Sequence, residues 1–237
     1  FKQIFPYSGW VEHDPEEIWK LTLKTIKESI KKSKSLKAKI ISIGIANQRE
    51  TTILWDKITG NPVYNAIVWQ DRRTQKICEN LKKRKLENLF RKKTGLFIDP
   101  YFSATKVKWI LDKVSVTKKL LKNKRLMFGT IDTFLIWRLT NKKNHFTDAT
   151  NASRTLMFNI NLNKWDNEIL KKLKIPKSIL PEVKNSADNF GTTSRKITGE
   201  EIPINAVLGD QQAAAVGQTC FDKGSVKITH GTGAFAI

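Results

Sequence analysis

Cysteine is nearly absent from this chain. Cys78 and Cys220 are the only two in 237 residues, and they form no CxxC pair. That excludes a disulfide framework and a thiolate zinc site, and it predicts a reducing compartment, the cytoplasm. Histidine is almost as scarce, and His13, His145 and His230 show no metal-ligand spacing, so no protein-held metal is expected. No run approaches about 18 consecutive apolar residues, which argues against a membrane span. The opening FKQIFPYSGW has neither a methionine nor the charged-then-apolar layout of a signal peptide, and the chain closes inside a strand-like run, GTGAFAI. Both ends therefore read as cut.

Negative charge is in deficit too: 22 Asp and Glu against 43 Lys and Arg give a formal charge of +21. Such an excess raises the question of nucleic acid. The basic residues are mostly Lys, however, scattered through KTIKESIKKSKSLKAK, ENLKKRKLEN and EILKKLKIPK in the manner of solvated helix faces. No helix-turn-helix, zinc finger or aromatic-basic platform accompanies them. No nucleic-acid and no membrane partner is expected.

What is present is an alternation of elements. In HDPEEIWKLTLKTIKESIKKSK, Asp14 is placed as N-cap, Pro15 as first helical residue, and Trp19, Leu23, Ile26 and Ile30 form one apolar face. KIISIGIANQ reads as a β-branched buried strand; TTILWDK and PVYNAIVWQ read as two more, joined by a turn at Thr59-Gly60-Asn61-Pro62. A basic helix is predicted from about Arg72, others after Asp99-Pro100 and at TIDTFLIWRLT, and one capped by Asp166 and stopped near Pro176. PINAVLG is then a strand, DQQAAAVGQ a helix, and GSVKITH and AFAI two strands meeting at Gly231-Thr232-Gly233. The pattern predicts one α/β domain over residues 1–237, a mixed β-sheet flanked by helices, with a helical insertion between residues 72 and 184.

Three stretches bring polar residues to strand ends, where ligands of open α/β sheets gather. Arg49 and Glu50 follow the strand over residues 40–45, either as a surface ion pair or as a ligand-facing one. Asp210 and Gln211 open a helix; Asp210 is either an N-cap or a cleft acid able to take a hydroxyl proton as bonding to phosphorus develops. Gly231-Thr232-Gly233 either cradle an anion with backbone N–H groups or make a plain hairpin turn.

Together with GIANQRETTILWDKITGNPVYNAIVWQDRRT, TGLFIDPYFSATKVKWIL, GTIDTFLIWRLT and TDATNASRTLMFNI, the blocks GDQQAA and GTGAF resemble the FGGY carbohydrate kinase family, in order and along essentially the whole chain. NQRETT and DPYFSATK point within it to members that phosphorylate glycerol. The resemblance implies a ribonuclease H-like fold of the actin and hexokinase type, and transfer of a phosphoryl group from ATP, with Mg²⁺, to glycerol. It implies that the chain is an N-terminal, glycerol-binding domain lacking its first hairpin and its C-terminal nucleotide-binding partner, inactive alone and part of a homo-oligomer when intact. Arg49, Glu50, Tyr101, Asp210 and Gln211 would hold the hydroxyls, and Trp69 and Phe235, unless they are plain core aromatics, would wall the carbon side. Asp210 would be the general base, and Gly231, Thr232 and Gly233 would meet the nucleotide phosphates. A related kinase for another polyol or ketose, or a non-catalytic remnant, are the alternatives.

Overall fold

The computed structural model describes residues 1–230 and 234–237. Strands β1 (Gln3–Ile4) and β2 (Glu12–His13) lead into helix α1 (Pro15–Ser35), then β3 (Ile43–Asn47), β4 (Ile53–Asp56) and β5 (Ala66–Ile67). A helical stretch follows: α2 (Gln75–Lys83), α3 (Glu87–Thr94), α4 (Ser103–Lys113) and α5 (Val116–Lys122). Next come β6 (Leu126–Gly129), α6 (Ile131–Leu139), β7 (Phe146–Asp148), α7 (Ala149–Ser153), β8 (Phe158–Asn159), β9 (Lys164–Trp165) and α8 (Asn167–Leu173). The chain closes with β10 (Glu182–Lys184), α9 (Arg195–Thr198), β11 (Ile204–Gly209), α10 (Asp210–Gly217), β12 (Ile228–His230) and β13 (Ala234–Ala236).

The strands are paired both ways, as a mixed sheet requires. β11 runs parallel to β3, ending with Gly209 opposite Asn47, and β10 runs parallel to β7. β4 and β6 are antiparallel, as are β1, β2 and β5. The ladders are short and separate rather than one continuous sheet.

Local chemistry sets the helix ends. Asp14 caps α1 by accepting the Glu16 N–H at 2.8 Å, with Pro15 behind it and Glu16 and Glu17 at the positive end of the dipole. The basic helix expected from about Arg72 begins three residues later and is two helices. Asp71 and Arg73 are drawn into a buried ion cluster, so winding starts only at Gln75. At the other end Lys85 takes a left-handed conformation (φ 56°) and Leu86 N–H reaches back to Leu81 O, a 6→1 closure that stops α2. β7 and α7 are additions to the expected elements, too short for a periodic signal.

In α6 every residue but Arg138 is buried, Asp132 and Thr133 included, which explains why apolar residues in TIDTFLIWRLT are not confined to one face. One side carries Phe134 and Trp137 into a cluster with Trp55 and Ile18; the other carries Ile136 and Leu139 against Ile204 and Val207 of β11. The helix thereby wedges β4 and β11 into fixed relation. The Arg73 cluster fastens the N-terminal strands. Its guanidinium lies 2.7 Å from both Glu12 and Asp71 and 3.8 Å over the Trp10 ring, with Tyr64 hydroxyl as a further acceptor.

Candidate functional site

The parallel ends of β3 and β11 release two polar segments side by side. Beyond Asn47 the chain turns sharply: Glu50 adopts φ 63°, a left-handed conformation rare outside glycine. The turn is held because Glu50 O accepts both the Ser103 and Thr52 hydroxyls, at 2.9 and 3.0 Å. It lets adjacent Arg49 and Glu50 face one cavity, which an extended strand forbids. Beyond Gly209 the chain enters α10. Gly209, not Asp210, occupies the cap position, and Asp210 is the first helical residue with no side-chain capping bond. Its carboxylate lines the cavity, 3.2 Å from Arg49 Nε, and accepts from Gln211 Nε2 at 3.4 Å.

Arg49, Glu50, Trp69, Tyr101, Asp210, Gln211 and Phe235 all line a single cavity of about 60 Å³, with Gln48. Trp69 and Tyr101 meet with ring centroids 5.5 Å apart, and both are only half-buried, which a plain core role does not require. Gly231, Thr232 and Gly233 lie outside the described residues, between antiparallel β12 and β13.

The polar groups are unevenly satisfied. Arg49 is buried; its Nε sits 3.2 Å from Asp210 Oδ1, within ion-pairing range but too poorly aligned for a hydrogen bond, and has no hydrogen-bond partner among the described residues. Asp210 is half-exposed. Glu50 is buried, and Arg154 Nε donates to it at 2.6 Å. Burial pushes the Glu50 carboxyl up, against Arg154, Arg49 and Lys106, which favour the charged form. Burial, then Glu50, pushes the Tyr101 hydroxyl up. The Arg49 guanidinium donates through Nη1 to Gln212 Oε1 at 3.3 Å.

Four residues here were not singled out from the sequence. Arg154 stacks over Tyr101 and Phe102 while holding Glu50. Lys106, fully buried on α4, donates to Tyr101 O at 2.5 Å and so holds the loop carrying that ring. Burial pushes Lys106 down to about 7, opposed by Glu50, Asp71 and Asp99. Lys227, also buried, donates to Gln211 Oε1 at 2.6 Å and fixes which end of that amide faces Asp210. Thr150 donates to Asp148 and accepts from Gly209 N–H. The available signal was a charged or hydroxyl residue inside an otherwise apolar helix start, as in SATKVKW; the partners are distant in sequence and could not be named from it.

Among the described residues no group of three or more His, Cys, Asp and Glu is placed to hold a metal, and no helix is long and apolar enough to cross a membrane. Comparison with known proteins gives a consistent assignment. The model of the FGGY family of carbohydrate kinases, N-terminal domain, matches residues 1–217. The chain is 56% identical over all its 237 residues to glycerol kinases of Chelativorans sp. (strain BNC1) and Rhizobium meliloti (strain 1021), covering 47% and 48% of those proteins. It superposes on a Plasmodium falciparum glycerol kinase determined with ADP at TM-score 0.93, 41% identity, covering 99% of this chain and 47% of that one. A Lactobacillus acidophilus xylulose kinase, 23% identical, shares the fold at TM-score 0.84 over 99% of this chain and 47% of its own. The chain thus spans about half the length of the relatives it matches.

Proposed function

The chain belongs to the FGGY family of carbohydrate kinases, with their actin and hexokinase-like fold, and from that premise we propose that it is the polyol-binding half of an ATP-dependent glycerol kinase. The observation that carries the reading is the cavity itself. It is lined by complementary donors and acceptors together with Trp69 and Phe235. The Arg49 guanidinium and the Gln211 amide are donors; Glu50 and Asp210 are acceptors. A neutral triol offers both functions at each carbon, and Trp69 and Phe235 cover its C–H face.

In the proposed reaction the terminal hydroxyl oxygen of glycerol attacks the γ-phosphorus of ATP, taken as its Mg²⁺ complex. The new O–P bond forms as the bond to the β-phosphate oxygen breaks, leaving ADP and sn-glycerol 3-phosphate. Asp210 accepts the hydroxyl proton; Arg49 holds the Asp210 carboxylate and the neighbouring hydroxyl in line. Gly231, Thr232 and Gly233 are proposed to meet the phosphates. Assembly as a homo-oligomer and a cytoplasmic location, where Cys78 and Cys220 stay free, belong to the same reading.

Half a cleft cannot align two substrates, so the 237-residue chain alone is expected to produce no ADP from ATP and glycerol, whereas a full-length kinase carrying it does. Glycerol-dependent ADP release by the chain alone sinks the half-site reading. A preference of the full-length enzyme for a ketose over glycerol sinks the substrate.

A further inference from the structure

The two strand ends that present the cavity residues are tied to one buried carboxylate that does not reach the cavity. Asp148, the last residue of β7, is fully buried and forms no ion pair among the described residues. Its charge is met by neutral donors. Oδ1 accepts the Asn151 backbone N–H at 3.0 Å and its side-chain amide at 2.8 Å. Oδ2 accepts the Thr150 N–H at 3.0 Å, the Thr150 hydroxyl at 2.6 Å and the Ser186 hydroxyl at 2.7 Å.

From this hub the bonds run on to both strands. Asn151 exchanges side-chain amide bonds with Asn47, at 3.0 and 3.2 Å. The Thr150 hydroxyl, its proton committed to Asp148, accepts the Gly209 N–H at 2.8 Å. Asn47 and Gly209 are direct partners at the last rung of the β3–β11 ladder. Gly209 has no side chain of its own to fix it, and a Cβ there would fall 2.5 Å from Arg49 Cδ. Nor, among the described residues, does α10 have a side-chain cap. Among the described residues the one side-chain bond on the residue before Asp210 therefore comes from Thr150.

We propose that Thr150 is the positioning residue for Asp210. Its hydroxyl relays the buried Asp148 charge to the Gly209 amide and so fixes where α10 begins and where its first carboxylate points. Charge-assisted, water-excluded bonds are stiff enough for this, and displacements near 1 Å are costly in phosphoryl transfer. The catalytic side rests on Asp210 being the base; the structural side, the hold on Gly209, does not.

The test uses Thr150→Val, which keeps shape and removes the hydroxyl, and Thr150→Ser, which keeps the hydroxyl. Amide exchange at Gly209 and Asp210 is read by NMR on the 237-residue chain, and kcat and KM for glycerol are read on the full-length kinase. Thr150→Val is expected to speed exchange at these two amides at least about tenfold, leaving those of β4 and β6 unchanged, and to lower kcat at least about tenfold with glycerol KM within about threefold. Thr150→Ser is expected to stay within about threefold in both. Unchanged Gly209 exchange in Thr150→Val, or failure of Thr150→Ser to hold kcat, overturns the proposal. If the wild-type kinase ignores glycerol, the substrate reading fails alone and exchange still decides the positioning. Should Thr150→Val not fold, Thr150→Ala is judged by the same two criteria.

Discussion

Two buried arginines of this molecule face carboxylates in opposite ways. Arg73 is closed: Asp71 is engaged through Nε and Nη2, Glu12 through Nη2, and Trp10 and Trp109 cover the guanidinium face at 3.8 and 4.9 Å. Both acids are themselves buried and further used, Asp71 by the Val11 N–H and Glu12 by Tyr64 and Asn65. Arg49 is open: its partner Asp210 is half-exposed, their contact is misaligned, and Nε has no hydrogen-bond partner among the described residues. Burial of a charge is costly in either place. At Arg73 the cost is offset internally and the cluster serves the fold; at Arg49 the match is incomplete, and in the proposed function glycerol completes it.

That difference can be broken from its open side first. In the full-length kinase, Asp210→Asn is expected to lower turnover by about 10²–10⁴-fold, the usual worth of a positioned base, with melting of the protein little changed. Near-normal turnover would remove Asp210 from the chemistry. From the closed side, Arg73→Met strands Glu12 and Asp71 in the interior and is expected to cost the chain about 3–5 kcal/mol, read by urea unfolding. A loss below about 1 kcal/mol would show the cluster to be no fastening at all.

The matched substitution, Arg49→Met, sharpens the contrast. Water can reach the half-exposed Asp210 it abandons, so stability should change by no more than about 1 kcal/mol, while glycerol KM rises about tenfold or more. A stability loss as large as that of Arg73→Met would erase the distinction. A further test concerns a titratable group outside both clusters. Burial pushes His145 down to about 4, and since its Nε2 lies 2.8 Å from Phe128 O, that nitrogen carries the proton of the neutral ring. The unfolded ring takes up a proton near 6.5 and the folded one does not, so stability is lost as pH falls from 6.5 towards 4. His145→Gln should flatten that part of the pH–stability curve. An unchanged slope would mean that other groups produce it.

Much of the fold was legible in the sequence because its signals are local. Asp14-Pro15 and Asp166 cap their helices as their chemistry requires, and β3, β4 and β11 fall on apolar runs rich in branched residues. The break at Lys85 was not legible, since a lysine in a left-handed conformation leaves no compositional mark. The cavity residues were recognisable as types at strand ends, and Arg49, Glu50, Asp210 and Gln211 do converge. Arg154, Lys106, Lys227 and Thr150 were not, because each works on a residue far along the chain.

The sequence by itself determined where strands stop and helices start, because capping, periodicity and turn chemistry act over a few residues. It also determined which chemical groups stand at those stops. Only the tertiary structure decided which of them share a cavity, because Asn47 and Gly209, 162 positions apart, become neighbours solely through the register of β3 against β11. It alone decided, too, that Arg73 is saturated and Arg49 is not. Satisfaction of a buried charge is a property of the groups packed around it, and long-range packing chooses those groups.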